Sequence, residues 1–391
     1  MIRILYIFLG ISVMLGLSSC HKTIHIHPWE EPAADEKAML TLRIDNSAPR
    51  LGAVIDYTVS PAVIIYSDDL PENAAAHARH AASASDENPD TQKFLLQRAH
   101  SLAEAFDEIA PYVLDGDKWE LHLKYEVYAG TAEQVKKGFV TPFHCDDIKY
   151  RADVSYPEHD VEVELPFGNV TVMAVAYIVP TGVEGDWFYK TGPLYNLICD
   201  IDKRQGEHDN VYRDCFVAGQ EYRIEPTGID GNVQHITATL TRPQGRYMVI
   251  ADDYETYLNI AGAEITDAAS RIYYPSYINT AYSVFDRMPI ASSYDFGYDF
   301  RPSLAYADDF PYVRLGDDWS FVNGNRSNFN IDITVSDKKD GRVINHNPGI
   351  LVPVFPDHVT LVIGHWLTKI NEGGGGVFID PDFTNEIVIH F

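Results

Sequence analysis

The sequence predicts a mainly all-β protein, two tandem β-sandwich domains with one helical insertion in the first, and three observations carry that expectation. Period-two alternation runs through Met39–Asp45, Trp119–Tyr128 and Asp160–Leu165, which sends alternate side chains to opposite faces of a strand and marks sheet with one wet face. From about Val233 onward, short β-branched and aromatic runs follow one another, broken by Gly, Pro, Asn and Asp; that punctuation belongs to sandwiches rather than to layers of helices. Only Thr91–Ile109 repeats its apolar residues (Phe94, Leu95, Ala99, Leu102, Ala105, Phe106, Ile109) near a helical period.

The chain opens with a single positive charge at Arg3, an apolar run from Ile4 to Gly16, and then Leu17-Ser18-Ser19-Cys20. That core is too short for a membrane span, which needs about 20 apolar residues, and has the layout of a secretory signal over residues 1–19. The Leu-Ser-Ser-Cys ending is the lipobox pattern, in which the cysteine sulfur takes a diacylglycerol before cleavage. Cys20 is therefore expected to be the lipidated first residue of the mature chain. Two or three acyl chains, at about 0.8 kcal/mol per buried CH₂, hold a protein to a bilayer far more firmly than one. Residues 20–37 read as a tether. Within it His25 and His27 share a strand face but have no third ligand in view, and carboxylates arrive only at Glu30 and Glu31.

Formal net charge is -27, which excludes nucleic acid as a partner, because phosphate binding needs concentrated Lys and Arg. Strong negative charge is the signature of solubility at an exposed surface. With 46% hydrophobic residues and 24 tyrosines, the chain can bury real cores. Its length suggests two domains, 38–230 and 231–391. Besides Cys20 there are Cys145, Cys199 and Cys215, with no CxxC spacing. An oxidising compartment permits a Cys199–Cys215 disulfide, and a buried, unpaired set satisfies the same spacing.

Along the chain, Asp160–Leu165 turns at Pro166-Phe167-Gly168-Asn169 and returns as Val170–Tyr177, a hairpin-like pair. Gln234–Thr241 leads into Arg242–Ile250 through a kink at Pro243. Further strands are expected at Ser327–Val335, Val359–Gly364 and Ile387–Phe391, and the Ala74–Asn88 segment reads as a loop.

No constellation for catalysis emerges. There is no G-x-S-x-G or H-E-x-x-H element, and Gly373–Gly376 lacks the Lys-Ser/Thr of a phosphate loop, so it reads as a tight hairpin. His77 and His80 have no carboxylate or thiolate company. Asp252-Asp253, Asp308-Asp309 and Asp317-Asp318 offer oxygen ligands but read as solvated loops, and Asp337–Gly341 reads as a turn whose two lysines repel a cation. The expectation is thus no catalytic, metal or cofactor site. Tyr294, Phe296, Tyr298 and Phe300 alternate, so they project to one face of a strand. They form either an aromatic surface that a sugar or a partner covers, or part of the core.

Several landmarks, in order, resemble the fimbrillin-like and fimbrial-anchor lipoproteins of Bacteroidales. They are the strand ending Met173-Ala174-Val175-Ala176-Tyr177, then Phe188–Leu194, then Tyr212-Arg213-Asp214-Cys215-Phe216, then Thr241-Arg242-Pro243 with Ile250–Tyr254, and last Val377–Phe383 after the glycine turn. The resemblance spans about 220 residues. It departs at Cys215, where the family commonly has a small residue, and at the Ala74–Asn88 loop with its helix. The resemblance implies transthyretin-like sandwiches in a non-enzymatic subunit, anchor or accessory, of a fimbria-like adhesive structure. It also implies an outer-membrane lipid anchor at the cell surface and other fimbrial subunits as partners. Assembly would proceed by β-strand addition. In that family structural subunits are trimmed after an arginine, and Arg43 and Arg50 are the arginines at hand. The alternative is a lipid-anchored protein that binds host or bacterial glycans.

Overall fold

The computed structural model describes residues 37–45, 52–57, 62–66, 118–151, 159–199, 211–225, 233–262, 264–307 and 309–368. The signal segment, Cys20, both histidine pairs, Arg50, Asp308, the 91–109 segment, the glycine turn and the last expected strand lie outside the described residues.

The described part is mainly β, as expected. It begins with β1 (Lys37–Asp45), β2 (Gly52–Tyr57), β3 (Ala62–Tyr66), β4 (Trp119–Ala129), α1 (Ala132–Lys136), β5 (His144–Arg151), β6 (His159–Pro166) and β7 (Gly168–Pro180). Next come β8 (Tyr189–Lys190), β9 (Asn196–Cys199), β10 (Cys215–Ile224), β11 (Val233–Thr239), β12 (Gln244–Ala251), α2 (Tyr254–Ala261), β13 (Ala268–Tyr274) and β14 (Ile278–Ser283). The remainder is β15 (Met288–Ser293), β16 (Phe296–Phe300), β17 (Ser303–Ala307), β18 (Phe310–Phe321), β19 (Ser327–Asp337), β20 (Val343–Val354) and β21 (His358–Gly364).

A three-stranded sheet, β11-β1-β6, packs on a four-stranded one, β10-β7-β4-β5. Their shared core takes Leu40, Leu42 and Ile44 from β1, Val161, Val163 and Leu165 from β6, and Leu121, Leu123 and Val127 from β4. A second pair, β17-β18-β12-β21-β2-β3 against β16-β13-β19-β20, encloses another core around Val249, Ile272, Phe329, Ile331, Ile333 and Val352. A smaller sheet, β15-β14-β9-β8, covers the remaining face of β4, β7 and β10, burying Met173, Val175, Tyr177, Leu197 and Tyr282.

Three local expectations change. Residues 119–128 do not have a wet face, because the four-stranded sheet is covered on both sides; Glu120 and His122 are buried. The 160–177 segment is not a hairpin: β6 pairs with β1 while β7 pairs with β4 and β10, so the Pro166–Asn169 turn crosses between sheets. The physical reason is that β7 is apolar on both faces and needs the central position of the doubly covered sheet. Asp317 and Asp318 lie not in a loop but in β18, fully buried, because arginines meet them there. The expected boundary at 230/231 falls before β11, which hydrogen-bonds to β1, while β2 pairs with β21.

Pro243 breaks the chain between β11 and β12 as expected, and the two strands enter different sheets. The residue that follows β12's start must be glycine: a Cβ at Gly245 would lie 2.0 Å from the Phe355 carbonyl oxygen.

Candidate functional site

Two arrangements stand out, an inserted strand and a buried ionic junction. β1 is the middle strand of its sheet, antiparallel to β6 and parallel to β11. Neither neighbour is joined to it by a short turn; both come from more than a hundred residues further along the chain. Its inward row, Ala38, Leu40, Leu42 and Ile44, is fully buried, while Met39 and Arg43 face solvent. That alternation is why the sequence forms a strand here. Arg43 Nε donates to Asp160 Oδ1 at 3.0 Å and Arg43 Nη2 to Asp160 Oδ2 at 3.3 Å. Both side chains are about half exposed, 48% and 53%. A slot left by β1 would thus expose two rows of backbone hydrogen-bonding groups above an apolar floor.

The junction is built from the Tyr212–Phe216 and Thr241–Pro243 segments. Arg213 Nη1 donates to Asp318 Oδ1 at 2.7 Å, with both side chains wholly buried. Arg242 holds Asp214 through two bonds, 2.7 and 2.8 Å, and reaches Asp357 at 3.0 Å. Its guanidinium also lies 4.6 Å from the centre of the Phe216 ring. Arg246 Nη2 donates to Asp317 Oδ2 at 2.5 Å. Tyr274 donates to Asp318 at 2.8 Å, and the Tyr298 hydroxyl donates to the Asp317 carbonyl at 2.7 Å. Burial pushes Tyr298 well above the usual phenol range, so it remains a protonated donor. Burial also pushes the Asp214 carboxyl up, and the Arg242 charge opposes that push.

Polar neutral groups complete the junction. Cys215 Sγ donates to Gln244 Oε1 at 3.2 Å, and Gln244 Nε2 donates to the Tyr189 hydroxyl at 2.6 Å, which in turn donates to the Arg213 carbonyl. Arg213 Nη2 points at Cys199 Sγ, 3.8 Å away. Cys199 and Cys215 are both buried free thiols, the unpaired arrangement of the two that their spacing permits. The chemistry available is cohesion: every carboxylate named here is matched by a guanidinium or a phenol.

A second polar cluster lies on the covered face of β4. Lys124 Nζ bonds Asp186 at 2.9 Å and Thr191 at 2.9 Å, and Tyr177 donates to Asp186 at 3.0 Å. His122 Nε2 lies 3.3 Å from Glu120 and Nδ1 3.7 Å from Asp147. Burial lowers the His122 pKa from its ordinary value, against the raising pull of Glu120 and Asp147.

Among the residues expected to carry function, Phe296, Tyr298 and Phe300 are buried in the core between the second pair of sheets, and only Tyr294 is exposed. The aromatic face of β16 points inward because its alternate residues, Gly297 and Asp299, take the outer face and the three rings are what the sheet can remove from water. No exposed aromatic row therefore exists at 294–300. Asp253 is buried rather than solvated as expected, because it accepts from the backbone N–H groups of Leu367 and Thr368 at 3.1 and 2.7 Å. Among the described residues, no group of three or more His, Cys, Asp or Glu side chains could hold a metal ion, and no helix is long and apolar enough to cross a membrane. Reasoning from the sequence missed Arg246 and the pairing of Arg213, Asp214, Arg242, Asp317 and Asp318. The available signal was Arg246, Asp317 and Asp318 inside otherwise apolar strands, and Arg213, Asp214 and Arg242 next to apolar strand runs.

The described structure is that of a layered β protein with an inserted first strand and a buried ionic junction. Residues 70–391 match a family described as a family of unknown function (DUF6562), and the chain belongs to that family. No curated protein matches the chain. Among solved structures, it is similar to a candidate adhesin from Bacteroides thetaiotaomicron VPI-5482, with 12% identity, a TM-score of 0.34, and 58% of this chain and 72% of that one covered. It is also similar to the fimbrial anchor protein Mfa2 from Porphyromonas gingivalis, with 12% identity, a TM-score of 0.32, and 62% and 78% covered. A candidate cell adhesion protein from Bacteroides eggerthii DSM 20697 shows 10% identity and a TM-score of 0.33, with 87% and 90% covered.

Proposed function

We propose that the chain is a non-enzymatic, lipid-anchored subunit of a fimbria-like surface structure that joins its neighbour by β-strand addition, with its lipid on Cys20. The observation that carries this reading is the place of β1, a central strand supplied from far away in sequence and seated between two strands that do not adjoin it in the chain. Such a strand is replaceable in kind: an extended segment with apolar residues at alternate positions satisfies the same backbone groups and the same floor. The sequence landmarks given above support the same reading.

Of anchor and accessory, the geometry favours an anchor whose chain stays uncut at Arg43, so that β1 remains attached while an incoming strand competes for its slot. Arg43 lies inside a strand bonded on both sides, and a protease needs its target segment extended and unpaired. Cutting there requires opening a central strand with a fully buried face. The test is mass spectrometry of the protein taken from the cell surface. A chain that begins at acylated Cys20, retains residues 37–45 and crosslinks to a polymer of other subunits supports the reading. A soluble, unacylated monomer would overturn it. The glycan reading finds no support at 294–300, where the aromatic row is interior.

A further inference from the structure

The start of β1 and one exposed aromatic loop lie at the same end of the first sheet pair. Lys37 is in register with Pro166 at the end of β6. Phe167 and Gly168 turn the chain there into β7, whose Val170 pairs with Ala129 at the end of β4. From Ala129 the chain passes through α1 into the loop 137–143. The Phe143 N–H donates to the Val127 carbonyl at 2.7 Å, which fixes the loop to that same end.

Phe139 is 71% exposed and Phe143 53% exposed, while Val140 between them packs against the core. The loop holding these rings is structured. Thr131 and Gln134 cap α1 reciprocally, Gly138 closes it at a φ of 68°, and the Phe139 N–H returns to the Gln134 carbonyl at 2.9 Å. The adjoining charges are neutralised in pairs, Lys136 with Asp286 and Lys137 with Glu133. Met288, two residues beyond Asp286, adds another exposed apolar side chain. The result is an exposed apolar tip whose two flanking lysines are paired, which suits the interfacial zone of a bilayer.

The chain length outside the described residues says which surface is near. Seventeen residue steps separate Cys20 from Lys37. At full extension that many steps span no more than about 55–60 Å. A bilayer carrying the Cys20 lipid is thus held within reach of this end of the molecule. Tethering makes insertion intramolecular, so even weak insertion is populated. The chain enters β12 from the opposite end, past the Val217–Thr241 bridge, and would be directed away from the membrane.

We propose that the 137–143 loop is a membrane-docking element, with Phe139 and Phe143 inserted into the interface of the bilayer to which the protein is tethered. The inference rests on the anchoring reading above. The test uses the full-length lipidated chain and its Cys20→Ala variant with vesicles of phosphatidylethanolamine and phosphatidylglycerol. Tryptophan is placed at position 139 or 143 by Phe139→Trp or Phe143→Trp. Tyr294→Trp, at an exposed site about 20 Å along β15 from Met288 at ~3.3 Å per residue, serves as the reference.

Relative to the unsubstituted chain with its own five tryptophans, the expected result is that the added emission at 139 and 143 is blue-shifted and lost with brominated acyl chains, while that at 294 is not. The effect should be strong for the lipidated chain and weaker for Cys20→Ala at high vesicle concentration. A lipidated chain that fails to float with vesicles sinks the anchoring reading and the docking loop with it. A chain that floats while 139 and 143 stay unquenched in both forms sinks the docking loop alone. A blue shift that appears without vesicles and grows with protein concentration would make the loop a contact between copies, and would also overturn the proposal.

Discussion

Arg213–Asp318 and Arg43–Asp160 are the same chemical pair in opposite surroundings. The first is wholly buried where strands of several sheets meet, and the second lies half exposed on the outer face of β1 and β6. In water, a pair gains little because solvent screens it and two long side chains must be held still. In the interior both charges have lost their hydration, so each depends on the other. The comparison teaches that the arginines of this chain cannot be ranked by distance to a carboxylate; burial decides whether a pair is structural.

Breaking the buried member should have the largest effect. Arg213→Ala takes the guanidinium away from a buried carboxylate that Tyr274 and the Trp319 N–H also bond, and should lower unfolding stability by about 3–5 kcal/mol. Denaturant titration with an unchanged slope checks it. A paired Arg213→Met/Asp318→Leu replacement should recover much of the loss, because the cost lies in the uncompensated charge. If the double variant is as unstable as the single one, the junction depends on more than charge pairing.

Next in size is Leu42→Ala, which empties a fully buried position in the middle of β1 and should cost about 2–5 kcal/mol. If β1 is held as loosely as a removable strand, hydrogen exchange of its amides will be faster than that of β7, and Leu42→Ala will widen the gap.

His122 should give a smaller, pH-dependent effect. Its folded pKa lies below the ordinary value because burial disfavours the charge, outweighing Glu120 and Asp147, with Lys149 acting in the same direction as burial. Above the unfolded pKa of about 6.5 both states hold neutral imidazole and nothing is lost. As pH falls below that value the unfolded chain takes the proton first, and stability declines until the folded pKa is passed. Urea midpoints at successive pH values should fall less steeply in His122→Gln over this window.

The smallest effect is expected at the exposed pair. Arg43→Ala should change stability by about 0.2–1 kcal/mol and less at high salt. A larger loss would mean that the outer face of β1 is covered in the working assembly.

The strands at Met39–Asp45, Ser327–Val335 and Val359–Gly364 were legible because one row of each must leave water, which imprints period two or a β-branched run on the residues. β4 was legible as a strand but not as a buried one. Its alternating Glu120, His122 and Lys124 look solvated until the 181–191 segment and the β8–β9–β14 sheet cover them. The helices α1 and α2 escaped because they are too short for a periodic pattern to show. The Tyr212–Phe216 segment was singled out in the sequence without its Arg–Asp pairing being seen, since Asp318 lies 105 residues further on.

By itself, the sequence determined that alternation and turn residues would produce sheets. Those are local properties: neighbouring residues alone set which face is apolar. Only the tertiary structure decided that β6 and β7 part into different sheets, that the row from Phe296 to Phe300 turns inward, and that β1 sits between β6 and β11. Each depends on which distant strand supplies the missing hydrogen bonds and apolar cover, and the period of one strand carries no information about the identity of its partner.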